Sequence, residues 1–293
     1  MMNILVTGSN GQLGNEIRKL ADQFSSYKFF YTDLAELDIT NPDALEAYVN
    51  ENQVNCIINA AAYTAVDKAE EQADVANLIN GDAVGNLAIA AKAADALLVH
   101  VSTDYVFDGT AHQPIYESET PNPVSVYAVS KFLGEQELLQ NAGKGVIVRT
   151  SWLYSEFGNN FVKSMIKYGR ERDELNVVFD QVGTPTYAAD LAALILKLIP
   201  EWLKLEKPEI FHFSNDGVAS WYDFAVAIHE FAKVDCRVNA IETKDYPLPA
   251  QRPFYSLMSK DKIKKAYNLD LPYWRESLKK CVDIILTNEK LVH

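Results

Sequence analysis

The chain has 293 residues, of which 48% are hydrophobic, so it can form one large or two modest domains with an apolar core. Its formal net charge of -13 argues against a general surface for nucleic acid or acidic membranes. No apolar run approaches membrane-spanning length and no basic signal-peptide region opens the chain, so we expect a cytoplasmic protein.

A short apolar strand followed by a glycine-rich turn opens the chain. Residues 4–6 predict a buried parallel strand, and Gly8, Gly11 and Gly14 follow it at once. Glycines here allow a tight turn and close approach of the backbone to a pyrophosphate. Helical spacing from Gln12 onward directs free amide groups at the loop, which favours an anion. The pattern predicts a dinucleotide site; the alternative is a glycine-rich turn without a ligand.

An acidic residue that holds the adenosine ribose is expected about 20 residues after this loop, at the end of the second strand. Asp33 stands 19 residues beyond Gly14. A carboxylate accepts hydrogen bonds from a ribose diol and repels a 2′-phosphate, and no arginine stands beside it in the sequence. We therefore expect NADH to bind at least as well as NADPH. The alternative is that Asp33 begins a solvated turn.

Strands and helices alternate through about residue 150, which predicts an α/β fold with a Rossmann-type doubly wound parallel sheet. Residues 54–59 form a buried strand that leads into small residues, and 75–94 predict one long alanine-rich helix. A strand at 97–102 delivers Ser-Thr-Asp at 102–104 to the same carboxyl edge of the sheet. Ligands of open α/β sheets bind at that edge.

Tyr127 and Lys131 are four residues apart and share one face of the next predicted helix. A nearby ammonium stabilises phenolate, so Lys131 is expected to lower the pKa of Tyr127 from about 10 toward neutrality. Such a phenol could protonate a carbonyl oxygen while hydride arrives at its carbon. A surface contact between the two side chains is the alternative, since this spacing also arises by chance.

The regular alternation of predicted strands and helices ends after residue 150. We expect an NAD(P)-binding Rossmann domain at 1–150, with segments around 175–200 returning to it, and a mainly substrate-binding domain at 151–293 that is smaller and mixed α/β. A proline-rich loop at 247–253 contains Arg252.

Several motifs occur together over nearly the whole chain. They are the glycine loop, Ser-Thr-Asp-Tyr-Val-Phe-Asp-Gly at 102–109, Tyr-x-x-x-Lys at 127–131, and the segments 59–70, 149–154, 158–161, 180–186 and 221–224. This combination resembles the extended short-chain dehydrogenase/reductase superfamily and, more narrowly, the dTDP-4-dehydrorhamnose reductase family. The resemblance implies NAD(P)H-dependent reduction of the C4 keto group of dTDP-4-dehydro-L-rhamnose, a nucleotide sugar, by a monomer or homodimer.

The resemblance also implies roles for the matching residues. Tyr127 would protonate the C4 oxygen, Lys131 would bind the nicotinamide ribose, and Thr103 would position the carbonyl. Asp104 and Trp152 would contact the sugar. The cofactor would be lined by Gly8, Gly11, Gln12, Leu13, Asp33, Asp38, Ile39, Ala62, Tyr63 and Thr64.

Asn160, Lys163 and Arg252 are candidates for contacts with the nucleotide diphosphate. Alternatively, Asn159 or Asn160 could cap the helix that begins near Phe161 instead of contacting a ligand. Trp221 is interpreted as a core anchor rather than as a ligand contact.

A metal site has weak support in the sequence. Some relatives use Mg²⁺, and His112, Glu117 and Glu119 could form a carboxylate site between subunits, but their spacing shows no ligand pattern and favours a solvated loop. The three cysteines have no metal-binding or CxxC spacing and are expected to be reduced thiols: Cys56, Cys236 and Cys281.

Two other functions remain open. One is a nucleotide-sugar epimerase or dehydratase of the same superfamily, but dehydratases commonly place Asp-Glu after the active-site threonine, and here Tyr105 follows Asp104. The other is a non-catalytic partner that resembles the regulatory subunit of methionine adenosyltransferase. A complete set of Thr103, Tyr127 and Lys131 argues against it, because a scaffold has no need of an activated phenol.

Overall fold

The computed structural model describes residues 1–292, which form twelve β-strands and eleven α-helices. The strands are β1 (Met2–Thr7), β2 (Tyr27–Thr32), β3 (Cys56–Asn59), β4 (Leu97–Thr103), β5 (Lys144–Thr150), β6 (Leu153–Tyr154), β7 (Glu174–Val178), β8 (Val182–Gly183), β9 (Thr186–Tyr187), β10 (Glu209–His212), β11 (Ala219–Ser220) and β12 (Arg237–Ile241). The helices are α1 (Gln12–Leu20), α2 (Pro42–Glu51), α3 (Val66–Ala69), α4 (Ala73–Asn77), α5 (Ala83–Ala93), α6 (Val126–Asn141), α7 (Phe161–Glu171), α8 (Ala188–Trp202), α9 (Trp221–Ala232), α10 (Asp261–Tyr267) and α11 (Trp274–Val292). Over this range, no helix is both long enough and apolar enough to cross a membrane.

The central sheet has six parallel strands in the order β2-β1-β3-β4-β5-β10. Its strands are rich in Ile, Val and Leu because helices cover both faces, as is usual in parallel sheets. The predicted α/β class with a doubly wound sheet is confirmed. Because the order of strands reverses between β1 and β3, the carboxyl ends of these two strands border the crevice where such sheets bind ligands.

Two apolar cores cover the two faces of the sheet. Ile4 of β1 packs in one core with Ile17 of α1 and Ile195 of α8. The next residue, Leu5, packs in the other core with Leu87 of α5. Successive residues of a strand point to opposite faces of the sheet. Because helices cover both faces, a strand between them requires an unbroken run of apolar residues.

The second half of the chain contributes both to the sheet and to a separate core. Helix α8 packs against α1, and β10 pairs with β5 at the edge of the sheet. Strand β7 instead pairs with β12, and α7, α9 and α11 bury a third core around Phe224. Helix α8 (188–202), which overlaps the region around 175–200 predicted to return, and β10 (209–212) both pack with the sheet half, whereas β7 does not. The division near residue 150 stays a prediction.

The long helix predicted at 75–94 is confirmed in outline, since residues 73–93 are helical without a break, but a π-helical turn at Leu78–Asp82 lies between α4 and α5. Asn80 lies buried in this turn. Its Oδ1 accepts from the Tyr63 backbone nitrogen (2.8 Å), and its Nδ2 donates to Ser130 Oγ of α6 (3.0 Å). A Cβ on Gly134 of α6 would lie only 2.1 Å from the Asn80 carbonyl oxygen. The turn therefore docks α6 closely and joins it to the loop after β3.

A buried ion pair joins α6 to the two strands beneath it. Arg149 of β5 donates from Nε to Glu135 Oε1 (2.9 Å) and from Nη2 to Oε2 (2.6 Å). Ser102 of β4 donates from Oγ to the same Oε1 (2.5 Å). The two charged side chains are 2% and 0% exposed. A buried carboxylate is stable only when it is paired and hydrogen-bonded, so this contact determines where α6 lies on the sheet.

Replacing Glu135→Ala should lower the free energy of unfolding by about 3–5 kcal/mol, because the Arg149 guanidinium is then buried without its partner. Urea unfolding followed by circular dichroism measures this change. The control Glu201→Ala removes an exposed pair with Lys204 and should cost at most about 1 kcal/mol. Equal stability of the two variants would show that the buried pair does not hold α6.

Candidate active site

The turn after β1 brings two backbone segments very close together. Gly8 has a φ of +64°, and a Cβ there would lie 2.5 Å from the backbone nitrogen of Ala61, which follows β3. Only glycine fits this position. Helix α1 begins at Gln12, and its N-cap residue, Gly11, makes no side-chain cap. The first amide groups of α1 are therefore available to an anion.

A cavity of about 450 Å³ lies at the carboxyl ends of β1 and β3. Its walls include six residues that the sequence predicted to bind a dinucleotide: Gly8, Gly11, Asp33, Asp38, Ile39 and Ala62. Leu34, Leu37, Leu78 and Ile79 form an apolar part of the wall that was not predicted. The signal available in the sequence was the leucine directly after Asp33, and this leucine is 71% exposed in the structure. Polar groups near the glycine loop and an apolar wall beyond it fit a dinucleotide.

Asp33 lines this cavity and is fixed by the glycine loop. Its Oδ2 accepts from the backbone nitrogen of Asn10 (3.1 Å). An arginine that is distant in sequence also reaches this loop: Arg18 donates from Nη2 to Ser9 Oγ (3.3 Å), and its guanidinium lies 4.7 Å from the centre of the Tyr31 ring. No arginine neighbours Asp33 along the chain, so Arg18 was not predicted near this loop. Helix α1 brings Arg18 back to the loop.

Four residues predicted to line the cofactor are not in the walls of this cavity. The Leu13 side chain is buried in the core beneath α1. The Gln12 side chain donates from Nε2 to the carbonyl oxygen of Leu153 (3.4 Å). Only the backbone amides of these two residues can face the glycine loop. Tyr63 and Thr64 lie further along the loop after Ala62, and their roles stay predictions.

Thr103 and Tyr127 lie where β4 ends and α6 begins. Ser125 caps α6 by accepting from the backbone nitrogen of Ala128 (3.3 Å), which places Tyr127 in the first turn of the helix. Thr103 Oγ1 accepts from the backbone nitrogen of Tyr105 (3.2 Å), and the Thr103 side chain is close enough to the Tyr127 phenol to lower the pKa of that phenol. The ring of Tyr105 packs edge-on against that of Tyr127, with centroids 5.7 Å apart. The threonine hydroxyl and the phenol are thus adjacent.

Burial controls the acidity of Tyr127. Desolvation raises its pKa to about 12, the Thr103 hydrogen bond lowers the pKa in part, and the Asp104 carboxylate raises it. The sequence predicted the opposite, a pKa lowered toward neutrality by Lys131. That prediction is wrong for this arrangement of side chains. Lys131 lies one turn after Tyr127, but its ammonium group is held by other partners.

The Nζ of Lys131 points toward β4. It donates to the carbonyl oxygen of Val101 (2.7 Å) and lies 3.3 Å from Nε2 of His100. Burial lowers the pKa of Lys131 from 10.5 to about 8, and Glu135 opposes this shift. A buried lysine of this kind can gain and lose a proton close to neutral pH.

Asp104 is a buried carboxyl group beside the threonine, with 2% of its surface exposed. Burial raises its pKa to about 6, while hydrogen bonds from Ser256 and Thr103 lower the pKa in part. Its Oδ1 accepts from Thr103 Oγ1 (3.1 Å), but its Oδ2 has no hydrogen-bond partner among residues 1–292. A buried acceptor without a partner can accept from a ligand hydroxyl, which supports the predicted sugar contact.

A second cavity, of about 640 Å³, lies in the second half of the chain. Aromatic side chains form much of its wall, with a few polar groups among them: Phe161, Gln181, Trp221, Tyr246, Arg252 and Phe254. Rings with a small number of polar groups are typical of small-molecule sites. Trp221, which the sequence favoured as a core anchor, both packs on the third core and lines the cavity.

Trp152 stands directly behind this wall. Its indole stacks on that of Trp221, with ring centroids 3.8 Å apart and planes 11° apart. Gly183 leaves room for it, since a Cβ there would lie 3.2 Å from the indole. Trp152 also has a φ of +49°, which is strained for a bulky residue and is often found at functional sites. Its contact with a sugar stays a prediction.

Asn160 and Lys163, both candidates for diphosphate contacts, have internal partners. Asn160 is the N-cap of α7: its Oδ1 accepts from the Lys163 backbone nitrogen (3.2 Å), and its Nδ2 donates to Gln12 Oε1 (3.0 Å). The cap is therefore Asn160 and not Asn159. The Nζ of Lys163 donates to the carbonyl oxygen of Glu156 (3.3 Å). The Asn160 amide joins the start of α7 to the start of α1.

Arg252 lines the second cavity and pairs with Asp67, which follows β3. Its Nη1 and Nη2 donate to the two carboxylate oxygens at 3.0 and 2.8 Å. The guanidinium lowers the pKa of Asp67. This bidentate pair fixes the proline-rich loop at 247–253 to the sheet half of the molecule. To bind a diphosphate, Arg252 would share or exchange its partner.

The residues considered for magnesium are not clustered. Glu117 Oε1 accepts from the backbone nitrogen of His212 (3.0 Å), and Glu119 Oε1 accepts from that of Tyr116 (3.2 Å). Among residues 1–292, no three His, Cys, Asp or Glu side chains lie close enough to hold a metal ion.

The chain is similar to known proteins along nearly its whole length. The family model described as the RmlD substrate binding domain matches residues 2–287. The dTDP-4-dehydrorhamnose reductase of Aggregatibacter actinomycetemcomitans is 41% identical over 287 residues, which cover 95% of this chain and 98% of that protein. A crystal structure of a dTDP-4-dehydrorhamnose reductase from Clostridium acetobutylicum has 45% identity and a TM-score of 0.92, covering 97% and 100% of the two chains. The Bacillus anthracis reductase, crystallised in complex with NADP, has 40% identity and a TM-score of 0.92, covering 96% and 99%.

Replacing Asp33→Ala should weaken the binding of NADH about tenfold and that of NADPH less, because the carboxylate accepts from a ribose diol but repels a 2′-phosphate. Fluorescence titration of each nucleotide measures the two dissociation constants. Asp43→Ala, at an exposed position on α2, is the control and should change neither. Equal weakening for both nucleotides would place Asp33 outside the adenosine pocket.

Proposed function

This chain belongs to the RmlD substrate-binding-domain family, and we propose that it reduces the C4 keto group of dTDP-4-dehydro-L-rhamnose to give dTDP-L-rhamnose, with NAD(P)H as the reductant. The names of its relatives support the substrate. The observation that supports the chemistry is the position of Thr103 at the carboxyl end of β4 beside Tyr127 in the first turn of α6.

Short chains of contacts connect these residues to both cavities. On the cofactor side, the loop after β3 lines the first cavity, and Asn80 joins that loop to Ser130 of α6. On the substrate side, the side chain of Ser256 lowers the pKa of Asp104, and Ser256 lies two residues beyond Phe254 in the wall of the second cavity. A ligand in each cavity would therefore meet at the edge of the sheet where Thr103 and Tyr127 lie.

The first cavity suits a nicotinamide dinucleotide. The open amides of α1 would hold the pyrophosphate, Asp33 would accept from the adenosine ribose, and the apolar wall would cover the adenine. The bound cofactor supplies the hydride that C4 of the sugar receives.

Tyr127 would complete the reduction by giving its phenolic proton to the C4 oxygen, so that the carbonyl becomes an alcohol and the phenol becomes phenolate. Thr103, adjacent to this phenol, would donate to the same oxygen and hold it in place. The raised pKa of Tyr127 keeps the phenol protonated before the reaction. Asp104 Oδ2, which lacks a partner among the described residues, would accept from a sugar hydroxyl.

The reaction classes differ in what happens to the nicotinamide. A reductase consumes one reduced nicotinamide for each product formed, whereas an epimerase or dehydratase shows no net oxidation. Where related dehydratases place a glutamate after Asp104, this chain has Tyr105, whose ring packs on Tyr127. The glutamate that would exchange a proton during elimination is thus absent, and Tyr105 in its place makes an aromatic contact with Tyr127.

Incubating the protein with NADPH or NADH and dTDP-4-dehydro-L-rhamnose should oxidise one nicotinamide for each dTDP-L-rhamnose formed. Absorbance at the nicotinamide band and chromatography of the sugar nucleotide give the two amounts. Product formation without net oxidation would identify an epimerase or dehydratase. Cofactor binding without turnover would identify a non-catalytic partner.

Replacing Tyr127→Phe should lower turnover roughly 10²–10⁴-fold while cofactor binding is retained, because only the proton donor is removed. Single-turnover kinetics in the presence of saturating cofactor report the chemical step. Tyr116→Phe, at an exposed tyrosine, serves as the matched control and should behave as the unmodified protein. If the Tyr127→Phe protein also reacted at the unmodified rate, another group would be the acid.

A further inference from the structure

A line of buried polar side chains crosses the carboxyl ends of three strands and ends at Lys131. Thr7 of β1 is in register with Asn59 of β3, and Asn59 is in register with His100 of β4. All four side chains are at most 2% exposed. Groups buried this deeply must satisfy one another, so their hydrogen-bond directions can be deduced in order along the line.

The orientation of the Asn59 amide is fixed by a backbone donor. The backbone nitrogen of Ala61 donates to Asn59 Oδ1 (3.2 Å), and Thr7 Oγ1 donates to the same oxygen (2.7 Å). A backbone N–H can only donate, so this atom of the amide is the oxygen. The Nδ2 of Asn59 therefore faces Nδ1 of His100, 3.0 Å away.

This amide determines the tautomer of His100. An amide NH₂ group can only donate, so Nδ1 of the ring must accept. Burial and the neighbouring Lys131 both lower the pKa of His100 well below 6.5, so the ring is neutral. A neutral imidazole with a bare Nδ1 has its proton on Nε2. That N–H then points at Nζ of Lys131, 3.3 Å away.

An N–H group directed at Lys131 suits the amine and opposes the ammonium. An ammonium has three donors and no acceptor, whereas the neutral amine has two N–H groups and one lone pair. The lone pair can accept from His100, one N–H donates to Val101, and one N–H remains for the site. The lone pair and one N–H of the amine then have partners in the protein, and the second N–H is available to a ligand.

The other ionisable groups near Lys131 lie on α6, β5, β4 and the segment that follows β4. On α6 itself, Tyr127 is held in its neutral form by burial, and Glu135 favours the ammonium. From β5, Arg149 is paired with Glu135 and offsets that carboxylate. After β4, Asp104 has a pKa raised by burial. On β4, His100 is the group that contacts Nζ directly.

We propose that His100 is a positioning residue: held by Thr7 and Asn59, it directs its Nε2–H at Lys131 and favours the neutral amine. The consequence for catalysis rests on the proposed function. After Tyr127 gives its proton to the C4 oxygen, the Lys131 ammonium returns one proton to the phenolate through an intervening hydroxyl or water, because Nζ itself contacts Val101 and His100 rather than the phenol. This restores the phenol and leaves the amine bonded to His100. Water then returns a proton to Lys131.

The tautomer can be measured without substrate by ¹⁵N NMR of the full chain labelled at histidine, with His100 identified by the signal lost in His100→Gln. We expect a neutral ring with the proton on Nε2 from pH 6 to pH 9. A proton on Nδ1, or an imidazolium at pH 7, would overturn the proposal whatever reaction the protein catalyses.

The effect on Lys131 can be measured in the same protein by ¹³C NMR titration of its Cε. The midpoint should lie near pH 8 in the unmodified chain. His100→Leu keeps the site buried but removes the donor, so the midpoint should rise by about one pH unit, the size of one hydrogen bond. His100→Gln retains an Nε2 donor and should leave the midpoint within roughly 0.3 unit of the unmodified value.

His112→Leu changes an exposed histidine and should leave the Lys131 midpoint unmoved. If His100 were only a packing residue, both of its variants would lose stability while the midpoint stayed constant in His100→Leu, and the proposal would fail. If His100→Leu does not fold, the His100 tautomer and the Lys131 midpoint in His100→Gln still test the proposal. A rise of one pH unit in the Lys131 midpoint of His100→Gln would contradict it. If the midpoint rises but the alkaline limb of kcat/KM does not follow, the proton return to Tyr127 is wrong.

Discussion

The buried ion pair between Glu135 and Arg149 is the contact on which the geometry of the site depends. It joins α6 to β5, and Ser102 joins the same carboxylate to β4. Tyr127 and Lys131 both project from the first turns of α6, so their distances from the sheet edge follow from where that helix rests. Asn80 and Gly134 fix the other side of the helix through the π-helical turn. A helix held on two sides presents a phenol in one position, which is what positioning a proton donor requires.

Burial has the same effect on four ionisable groups, namely the phenol itself and three of its neighbours. It raises the pKa of Tyr127 and Asp104 and lowers that of Lys131 and His100. Each shift favours the uncharged form. A cluster of groups near neutrality can exchange protons without separating strong charges in a medium of low dielectric. On the proposed function, Lys131 would act through its proton and its hydrogen bonds rather than as a fixed positive charge beside the phenol.

Sequence patterns predicted those features that depend on residues close together in the chain. The glycine loop, Asp33 and the alternation of strands with helices all depend on local spacing, and the sheet and first cavity agree with them. Contacts between distant segments were not accessible in this way: Arg18 reaches the glycine loop through α1, and Asp67 pairs with Arg252 across 185 residues. The π-helical turn was missed because it depends on hydrogen bonds of Asn80 with Tyr63 and Ser130, which are distant in sequence. Helix propensities describe single residues and contain no information about such contacts. The Tyr127 pKa was predicted in the wrong direction because the helix spacing revealed Lys131 but not the burial of the phenol, which raises its pKa.

The central claim is that the phenol of Tyr127 and the hydroxyl of Thr103 meet the carbonyl oxygen at the junction of the two cavities. A crystal structure of the ternary complex with NADP⁺ and dTDP-L-rhamnose tests this most directly. The account predicts that Tyr127 Oη and Thr103 Oγ1 both lie about 2.6–3.2 Å from the C4 oxygen of the sugar, with the nicotinamide on the opposite side of C4 from the sugar pocket wall. A sugar whose C4 oxygen lay beyond hydrogen-bonding distance of Tyr127, with another acid in contact with it, would contradict the account.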